Sequence, residues 1–440
     1  MFVAARQRSA PKTAYTQPGA NTRKAAKMHR FLAKNVVSSL ALCLAIVAFV
    51  RADAAQPTLP DEYSAAALHR EVPPASSLEN PVDSARLGNR RNCSPWNWPI
   101  DQPPLSDLEQ PLFADAADGQ LHEFSLLDAA LIASGVKDAS ELQRYRELVA
   151  AWAAEIKRGG GSSGSPRRRV EAMFAFIHRK ILVGHYDINC TDLRTALEQG
   201  NFNCVSATTL FNCLGNALGL PCCALETPGH ALSRVALPDG PLNIETTCPE
   251  WFHLKHDQLK QSQSPDKRIG RESADDEAAL HEISQVQLTA MIYYNRGIDY
   301  LGEKRFAEAA AANAKALRLD PLNDSARGNL LATINNWALD LVKAGNFDDA
   351  VALLRQGLAI DPHYEAFTAN FVHAHHQWSQ ALCQAGRYKE AVEILDRGAS
   401  ELPENPYFRG ALWHVYGSWA VTLLKIDKMD EAFDILRFVN

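Results

Sequence analysis

Three residues in the middle of the chain have the types and the order that nucleophilic catalysis requires. Cys204 follows Asn203, a good helix N-cap, so the thiol lies on the first turn of a predicted helix. The unpaired N–H groups and the dipole of that turn favour a thiolate over a thiol. His230 and Glu245 follow on two predicted strands. In such a set the thiolate attacks a carbonyl, the imidazole moves protons, and the carboxylate orients the imidazole.

The elements that carry these residues can be predicted from the local pattern. After Cys204, apolar residues recur at spacings of three and four, which indicates a helix with one buried stripe. The residues of that stripe are Ala207, Leu210, Phe211, Leu214, Ala217 and Leu218. Strands are predicted over 222–226, 230–237 and 242–247, and the Pro-Asp-Gly-Pro sequence at 238–241 supplies the turn between the last two.

Each of the three residues also has a purely structural interpretation, as a buried thiol, a strand-opening imidazole or a solvent-facing strand carboxylate. The register of the last two strands raises a further difficulty. A tight turn at 239–240 would place Glu245 opposite Arg234. A wider loop or a bulge would then be needed to bring the carboxylate beside His230. Asn243 shares the strand face of Glu245 and is the alternative partner for the imidazole.

The order of Cys204, His230 and Glu245 on a helix and two strands resembles the transglutaminase-like superfamily. The likeness is greater to bacterial members that carry tetratricopeptide repeats downstream, and it covers roughly residues 121–252. The resemblance implies an α+β, papain-like fold without a cofactor. It also implies that Cys204 is the nucleophile, His230 the base and Glu245 the orienting acid, with Glu in place of the usual Asp. The cysteine spacing does not predict a metal site, because no short-gap pair is matched by a second such pair.

The beginning of the chain has the pattern of an export signal. Residues 1–35 are basic, residues 36–50 form an apolar run, and the Ala-Asp-Ala sequence at 52–54 suits signal peptidase. We therefore expect residues 1–54 to be an export segment and the mature protein to be periplasmic or secreted. An uncleaved membrane anchor at 36–50 is the alternative.

The charge of the chain argues against nucleic acid as a partner. The 440 residues carry a formal net charge of −6. Residues 1–54 hold nine Lys or Arg and one Asp, so the rest of the chain has a net charge of −14. An acidic exported protein is a poor candidate for binding through phosphate contacts.

The C-terminal part of the chain repeats with a period of 41 residues. Four positions of the repeat show this spacing. The first is occupied by Phe306, Phe347, Tyr388 and Met429, and the second by Ala309, Ala350, Ala391 and Ala432. The third is occupied by Pro321, Pro362 and Pro403, and the fourth by Trp337, Trp378 and Trp419. This pattern resembles the tetratricopeptide repeat with about seven additional residues, or two helical turns. We therefore expect long first helices in units two to four. The last unit stops at Asn440, which predicts a brief final helix.

The predicted fold is an α+β transglutaminase-like domain followed by an all-α tetratricopeptide-repeat solenoid. The predicted segments are an export segment at 1–54, a proline-rich extended segment at 55–120, the transglutaminase-like domain at 121–255, a polar linker at 256–278 and four repeats at 279–440. The composition of the linker predicts that the repeats can be separated there as a folded unit.

Two functional hypotheses follow from these patterns. The first is an exported cysteine enzyme that hydrolyses a peptide or amide bond, with a protein or peptide bound in the concave groove of the repeats. The second is a non-catalytic scaffold for protein–protein interaction, because the superfamily includes members that have lost the nucleophile. Both hypotheses exclude nucleic acid as a partner, and membrane binding requires that residues 36–50 remain uncleaved.

Overall fold

A computed structural model describes residues 104–161, 164–227, 229–254 and 280–437. The predicted export segment, most of the proline-rich segment and the polar linker at 256–278 lie outside the described residues. The described chain forms two compact units, one over 104–377 and one over 378–437. The first unit contains the sheet and the candidate catalytic residues.

Helices occupy the first part of this unit. They are α1 (Glu109–Asp115), α2 (Leu126–Ala133), α3 (Ala139–Ile156), α4 (Pro166–Phe176), α5 (Leu193–Glu198) and α6 (Cys204–Ala217). The side chains of Ser125, Asp138 and Ser165 accept hydrogen bonds from first-turn N–H groups and so begin α2, α3 and α4. Helix α4 starts at Pro166, because proline suits the first helical position.

The folded core begins earlier in the chain than predicted. Residues 55–120 were predicted to form an extended segment, but α1 and the 3-10 turn Ala116–Asp118 are helical. Leu112 is fully buried and Phe113 is nearly so. Pro111 lies in the first turn of α1, where the missing N–H costs no intrahelical hydrogen bond. The proline content of this segment therefore did not exclude a helix at its end.

Four antiparallel strands form one sheet in the order β3-β2-β1-β4. The strands are β1 (Cys222–Thr227), β2 (His230–Leu237), β3 (Gly240–Ile244) and β4 (His281–Ile283). Leu237 pairs with Gly240, so the turn consists of residues 238 and 239 and lies one residue earlier than the register first considered. Proline followed two residues later by glycine suits this turn position. As a result Asn243, rather than Glu245, lies opposite Arg234.

The fourth strand comes from beyond the predicted linker. In β4, His281 pairs with Glu226 of β1. The strand leads directly into α8 (Gln285–Gly302), which contacts α2, α6 and β1. The buried residues that α8 adds to the core shared with α2 and α6 are Val286, Leu288, Ala290, Met291, Ile292, Tyr293 and Tyr294. The first repeat helix is therefore part of the α+β core, and the compact unit does not divide at the linker.

A buried ion pair fastens α1 to the repeat region. Lys315 Nζ donates to both carboxylate oxygens of Glu109 at 2.8 Å, and the Tyr293 hydroxyl donates to Oε1 at 2.9 Å. Burial raises the pKa of Glu109, but the hydrogen bonds and the charge of Lys315 outweigh it, so the pKa is lowered. The buried Glu109 carboxylate is therefore both hydrogen-bonded and paired with a positive charge.

The repeat region is all-helical. After the short helix α7 (Trp251–Leu254) and helix α8, it continues with α9 (Phe306–Leu319), α10 (Asp324–Lys343), α11 (Phe347–Ile360), α12 (Glu365–Gln384), α13 (Tyr388–Glu401), α14 (Pro406–Lys425) and α15 (Met429–Leu436). The first helices of units two to four each have 20 residues, whereas the complete second helices have 14. Helix α15 has 8 residues. The long first helices and the brief last helix are as predicted from the period.

Two helical glycines of the repeat region are expected to respond to alanine with opposite signs. A Cβ atom on Gly357 would lie 2.7 Å from the ring of Phe367, which is fully buried, whereas one on Gly410 would meet nothing within 4 Å. Gly357→Ala should lower the free energy of unfolding by about 1–3 kcal/mol through overpacking. Gly410→Ala should raise it by roughly 0.5–1 kcal/mol through helix propensity. Denaturant unfolding followed by circular dichroism measures both changes, and stabilisation by Gly357→Ala would contradict the packing.

Candidate active site

The structure brings His230 and Glu245 together. The Nε2 atom of His230 lies 2.6 Å from Oε2 of Glu245. His230 opens β2 and is 5% exposed, while Glu245 follows the last paired residue of β3. The register places Glu245 one diagonal step from His230 on the same face of the sheet, which a glutamate side chain can span. Neither a bulge nor a wider loop is required.

The second carboxylate oxygen of Glu245 is also hydrogen-bonded. Oε1 accepts hydrogen bonds from the backbone N–H of Thr247 at 3.0 Å and from its hydroxyl at 2.6 Å. Burial raises the pKa of Glu245, but the hydrogen bond and charge of His230, together with Thr247, lower it overall. The carboxylate therefore stays ionised and fixed in orientation. Asn243, the alternative partner, instead accepts a hydrogen bond from Arg234 Nε at 2.8 Å.

Cys204 is the first residue of α6, as predicted. Asn203 and Ser206 cap this helix reciprocally, since the side chain of each accepts the backbone N–H of the other at 3.0 Å. The amide of Asn203 also donates to the carbonyl oxygen of Ile188 and to the hydroxyl of Thr191. Cys204 forms no disulfide and is partly exposed as a residue. The start of the helix is thus fixed on both sides of this cysteine.

The Cys204 thiol lies beside the His230 ring. Nε2 of His230 is occupied by Glu245, and Nδ1 is buried without a hydrogen-bond partner among the described residues. Burial lowers the pKa of His230, but its interactions with Cys204 and with the Glu245 carboxylate raise it to about 10. The imidazole therefore favours its protonated form between a sulfur and a carboxylate.

Two buried hydrogen bonds fasten α6 to the sheet. The hydroxyl of Thr208 meets that of Thr246 at 2.9 Å, and Asn212 Nδ2 donates to Ser233 Oγ at 2.9 Å. These partners lie on β2 and just beyond β3, beside the histidine and the carboxylate. The helix that carries the thiol and the strands that carry its partners therefore form one rigid framework.

A second histidine, which the sequence pattern did not indicate as a site residue, lies close to this framework. The ring of His178 packs against Phe174 and Phe202, with centroids 4.5 and 6.3 Å away. Burial lowers the pKa of His178 to about 4, although the nearby backbone of Thr246 acts in the opposite direction. His178 is therefore neutral at neutral pH. The only sequence signal for it was its position four residues after Phe174 on an amphipathic helix.

In the described residues no group of three or more His, Cys, Asp or Glu side chains is arranged to hold a metal ion. None of the helices in the described ranges is long and apolar enough to cross a membrane.

The repeat region shows why aromatic residues recur in its sequence. The rings of Phe306 and Trp337 stack with centroids 6.3 Å apart and planes at 8°. In the second compact unit, Tyr388 and Trp419 stack in the same way, at 6.2 Å and 9°. In each pair the Phe or Tyr is the first residue of the second helix of one repeat, and the tryptophan lies on the first helix of the next repeat.

Residues 341–414 match the tetratricopeptide repeat family. The match lies within the part of the chain that repeats every 41 residues and is all-helical. No curated protein and no solved structure matched the chain. Tetratricopeptide repeats generally bind protein partners, so this region indicates protein–protein interaction.

Proposed function

We propose that the α+β part of the chain is a transglutaminase-like cysteine enzyme that hydrolyses a peptide or amide bond. The observation that carries this proposal is the line of contacts from the Cys204 thiol through the His230 ring to the Glu245 carboxylate. A partly exposed cysteine at a capped helix start, backed by a buried imidazole and a carboxylate, suits acyl transfer to sulfur. The same three residues have the order that characterises the superfamily.

The proposed reaction proceeds in two acyl-transfer steps. The Cys204 sulfur attacks the carbonyl carbon, and the C–N bond breaks as protonated His230 gives its proton to the leaving amine. Neutral His230 then takes a proton from water, whose oxygen attacks the thioester and releases the acid and the thiolate. Glu245 keeps the imidazole in one orientation throughout. The N–H groups of Cys204 and Val205, which lack intrahelical acceptors, are the donors available to the oxyanion.

The tetratricopeptide repeats have the complementary role in this proposal. They bind a protein or peptide, in a concave groove along the repeats, and recruit it as substrate or partner. We also propose that the protein is exported to the periplasm or secreted, because of the basic segment, the apolar run and the small-residue site within residues 1–54.

A non-catalytic scaffold is the second candidate. The family match to residues 341–414 supports protein interaction without reference to catalysis. In this alternative the α+β core only binds, and the repeats assemble a complex around it.

The two candidates differ in the reactivity of Cys204. Burial raises the pKa of the Cys222 thiol to about 12 and those of Cys223 and Cys383 to about 11. With iodoacetamide at pH 6, Cys204 should therefore react at least about tenfold faster than these three thiols if His230 activates it. Mass spectrometry of the alkylated peptides measures each rate.

Two variants complete this experiment. Cys204→Ala should abolish the fast labelling without a change in circular dichroism, and His230→Ala should slow the labelling of Cys204 by a similar factor. If Cys204 reacts only at alkaline pH, at the rate of the other thiols, the scaffold is the better description.

A further inference from the structure

An exposed apolar loop, residues 183–188 between α4 and α5, lies beside the candidate nucleophile. It includes Val183, Tyr186 and Ile188, whose exposed fractions are 62, 37 and 74%. In the described residues the other large apolar side chains that are exposed belong to the repeat region, at Leu322, Trp413, Ile426 and Met429. Several exposed apolar side chains close together commonly mark a binding surface, whereas single ones need no explanation.

The apolar loop is hydrogen-bonded to the start of α6. The Asn203 amide donates to the carbonyl oxygen of Ile188 at 3.0 Å, and the Ser206 hydroxyl donates to that of Cys190 at 2.8 Å. Asn203 directly precedes Cys204, so one hydrogen bond and one peptide bond connect the backbone of Ile188 to that of the candidate nucleophile. The loop and the thiol therefore belong to the same corner of the fold.

Backbone pairing and two glycines fix the rest of the loop. The N–H of Gly184 donates to the carbonyl oxygen of Gly200 at 3.1 Å, and the N–H of Asp187 donates to that of Phe202 at 2.9 Å. A Cβ atom on Gly184 would collide with the Asn201 side chain, and one on Gly200 would lie 2.9 Å from the Gly184 nitrogen. This close approach requires glycine at both positions, and it presents the apolar side chains on a fixed surface.

The composition and size of the apolar loop favour a peptide as the molecule that covers it. Residues 183–190 contain no Lys or Arg, the residues that attract a protein to an anionic membrane surface. Three apolar side chains are also far fewer than the roughly 20–30 residues a side that a stable protein interface uses. A peptide substrate needs only one such contact beside the reacting bond, and an extended chain advances about 3.3–3.6 Å per residue.

We propose that the apolar loop selects the peptide substrate, and that Ile188 contacts a bulky aliphatic or aromatic side chain within about three residues of the reacting bond. Ile188 is the most exposed of the three apolar residues, and its carbonyl oxygen is bonded to Asn203. The proposal rests on the proposed function for the presence of a peptide at Cys204. Peptides with a small or charged residue at that position bind more weakly, because they bury less apolar surface.

The test uses two reagents that differ only in an apolar tail, iodoacetamide and N-hexyl iodoacetamide. Full-length protein is alkylated at pH 8.5, where a cysteine reacts whether or not His230 activates it. Mass spectrometry measures the rate at Cys204, and each rate is divided by that of glutathione with the same reagent. The ratio of the hexyl rate to the iodoacetamide rate then measures apolar contact beside the thiol, independently of the reactivity of the thiol.

The wild type should react about fivefold to tenfold faster with the hexyl reagent. Ile188→Ser should lower this ratio at least threefold, whereas Ile188→Leu should keep most of it. Leu322→Ser is the matched control, because Leu322 is 84% exposed between α9 and α10, and it should leave the ratio unchanged. Circular dichroism should be the same for all variants, since each altered side chain is mostly exposed.

An unchanged ratio in Ile188→Ser, or an equal fall in Leu322→Ser, would overturn the proposal. Sedimentation and vesicle flotation of the wild type and Ile188→Ser test the other occupants. A dimer that this substitution dissociates, or binding to phosphatidylglycerol vesicles that it abolishes, would assign the loop to a second copy or to a membrane and overturn the peptide assignment. Failure of the proposed function is a separate result, since wild-type Cys204 would then show no fast reaction at pH 6.

Discussion

A chain that ends at residue 278 is expected not to fold, although the sequence predicted a separable boundary there. Such a truncation removes β4 and α8, and with them Met291, Ile292 and Tyr294 from the core shared with α2 and α6. Each buried apolar side chain of this size contributes about 1.5–3 kcal/mol. The loss of the helix is therefore comparable with the whole stability of a domain, about 5–15 kcal/mol. Circular dichroism and dye binding should show a loosely packed state.

Two controls separate this expectation from a general effect of truncation. A chain that ends at residue 377 keeps the first compact unit and should unfold cooperatively. Full-length protein cleaved within 255–279 should remain as two fragments that co-purify, because the β1–β4 pairing and the contacts of α8 hold them together. A soluble, cooperatively folded fragment that ends at residue 278 would show that α8 is dispensable for the core.

Replacing Glu245 is expected to have the largest effect on the reactivity of Cys204. In Glu245→Gln the His230 ring loses its charged partner, and any activation of the thiol by the imidazole should fall by about 10²- to 10⁴-fold, the size of the loss in established catalytic triads. Glu245→Asp withdraws the carboxylate by one methylene from a contact of 2.6 Å. It should lose nearly as much, although Asp is the usual residue in the resembled superfamily. Asn243→Ala should change little, because Asn243 pairs with Arg234.

The loss of stability caused by Glu245→Gln is expected to depend on pH. The pKa of His230 is raised to about 10, so the stabilisation from its protonated form is complete below pH 6.5 and is lost as the pH rises through 10. The pKa of Glu245 is lowered, so its stabilisation is present above pH 4.5 and is lost as the pH falls through its folded value. The deficit of Glu245→Gln should therefore be greatest between pH 4.5 and 6.5, at about 3 kcal/mol.

Denaturant unfolding of the wild type and Glu245→Gln at pH 5.5, 8 and 10.5 measures this difference. The deficit should shrink at each step. A deficit that is constant across the three values would mean that the two side chains are not an ion pair in solution.

Local patterns were sufficient to predict the elements that carry the candidate site. The N-cap at Asn203 and the apolar stripe after it located α6, and alternation with turn residues located β1 and β2. The 41-residue period predicted the lengths of the repeat helices because one structural unit recurs. These features depend on residues close together in sequence, so a single sequence contains the information.

Features that depend on distant residues were not predictable in the same way. Strand β4 has only three residues, too few to show an alternation of polar and apolar side chains. It is extended because its backbone pairs with the edge of β1. The packing of α8 against α2 and α6 depends on that pairing, and nothing near α8 in the sequence indicates it. Whether Glu245 can contact His230 depends on whether the turn consists of residues 238 and 239 or of residues 239 and 240. The Pro-Asp-Gly-Pro sequence permits both turns, and the structure has the first.

The ion pair between Glu109 and Lys315 has a consequence for the synthesis of the protein. Its two residues are 206 positions apart, so the pair cannot form until the ribosome has delivered the start of the repeats. At 5–20 residues per second that interval is about 10–40 s. During it the faces of α2 and α6 that α8 will cover are exposed to other nascent chains. The partly synthesised chain therefore exposes apolar surface that favours aggregation, and the emergence of α8 and α9 covers that surface.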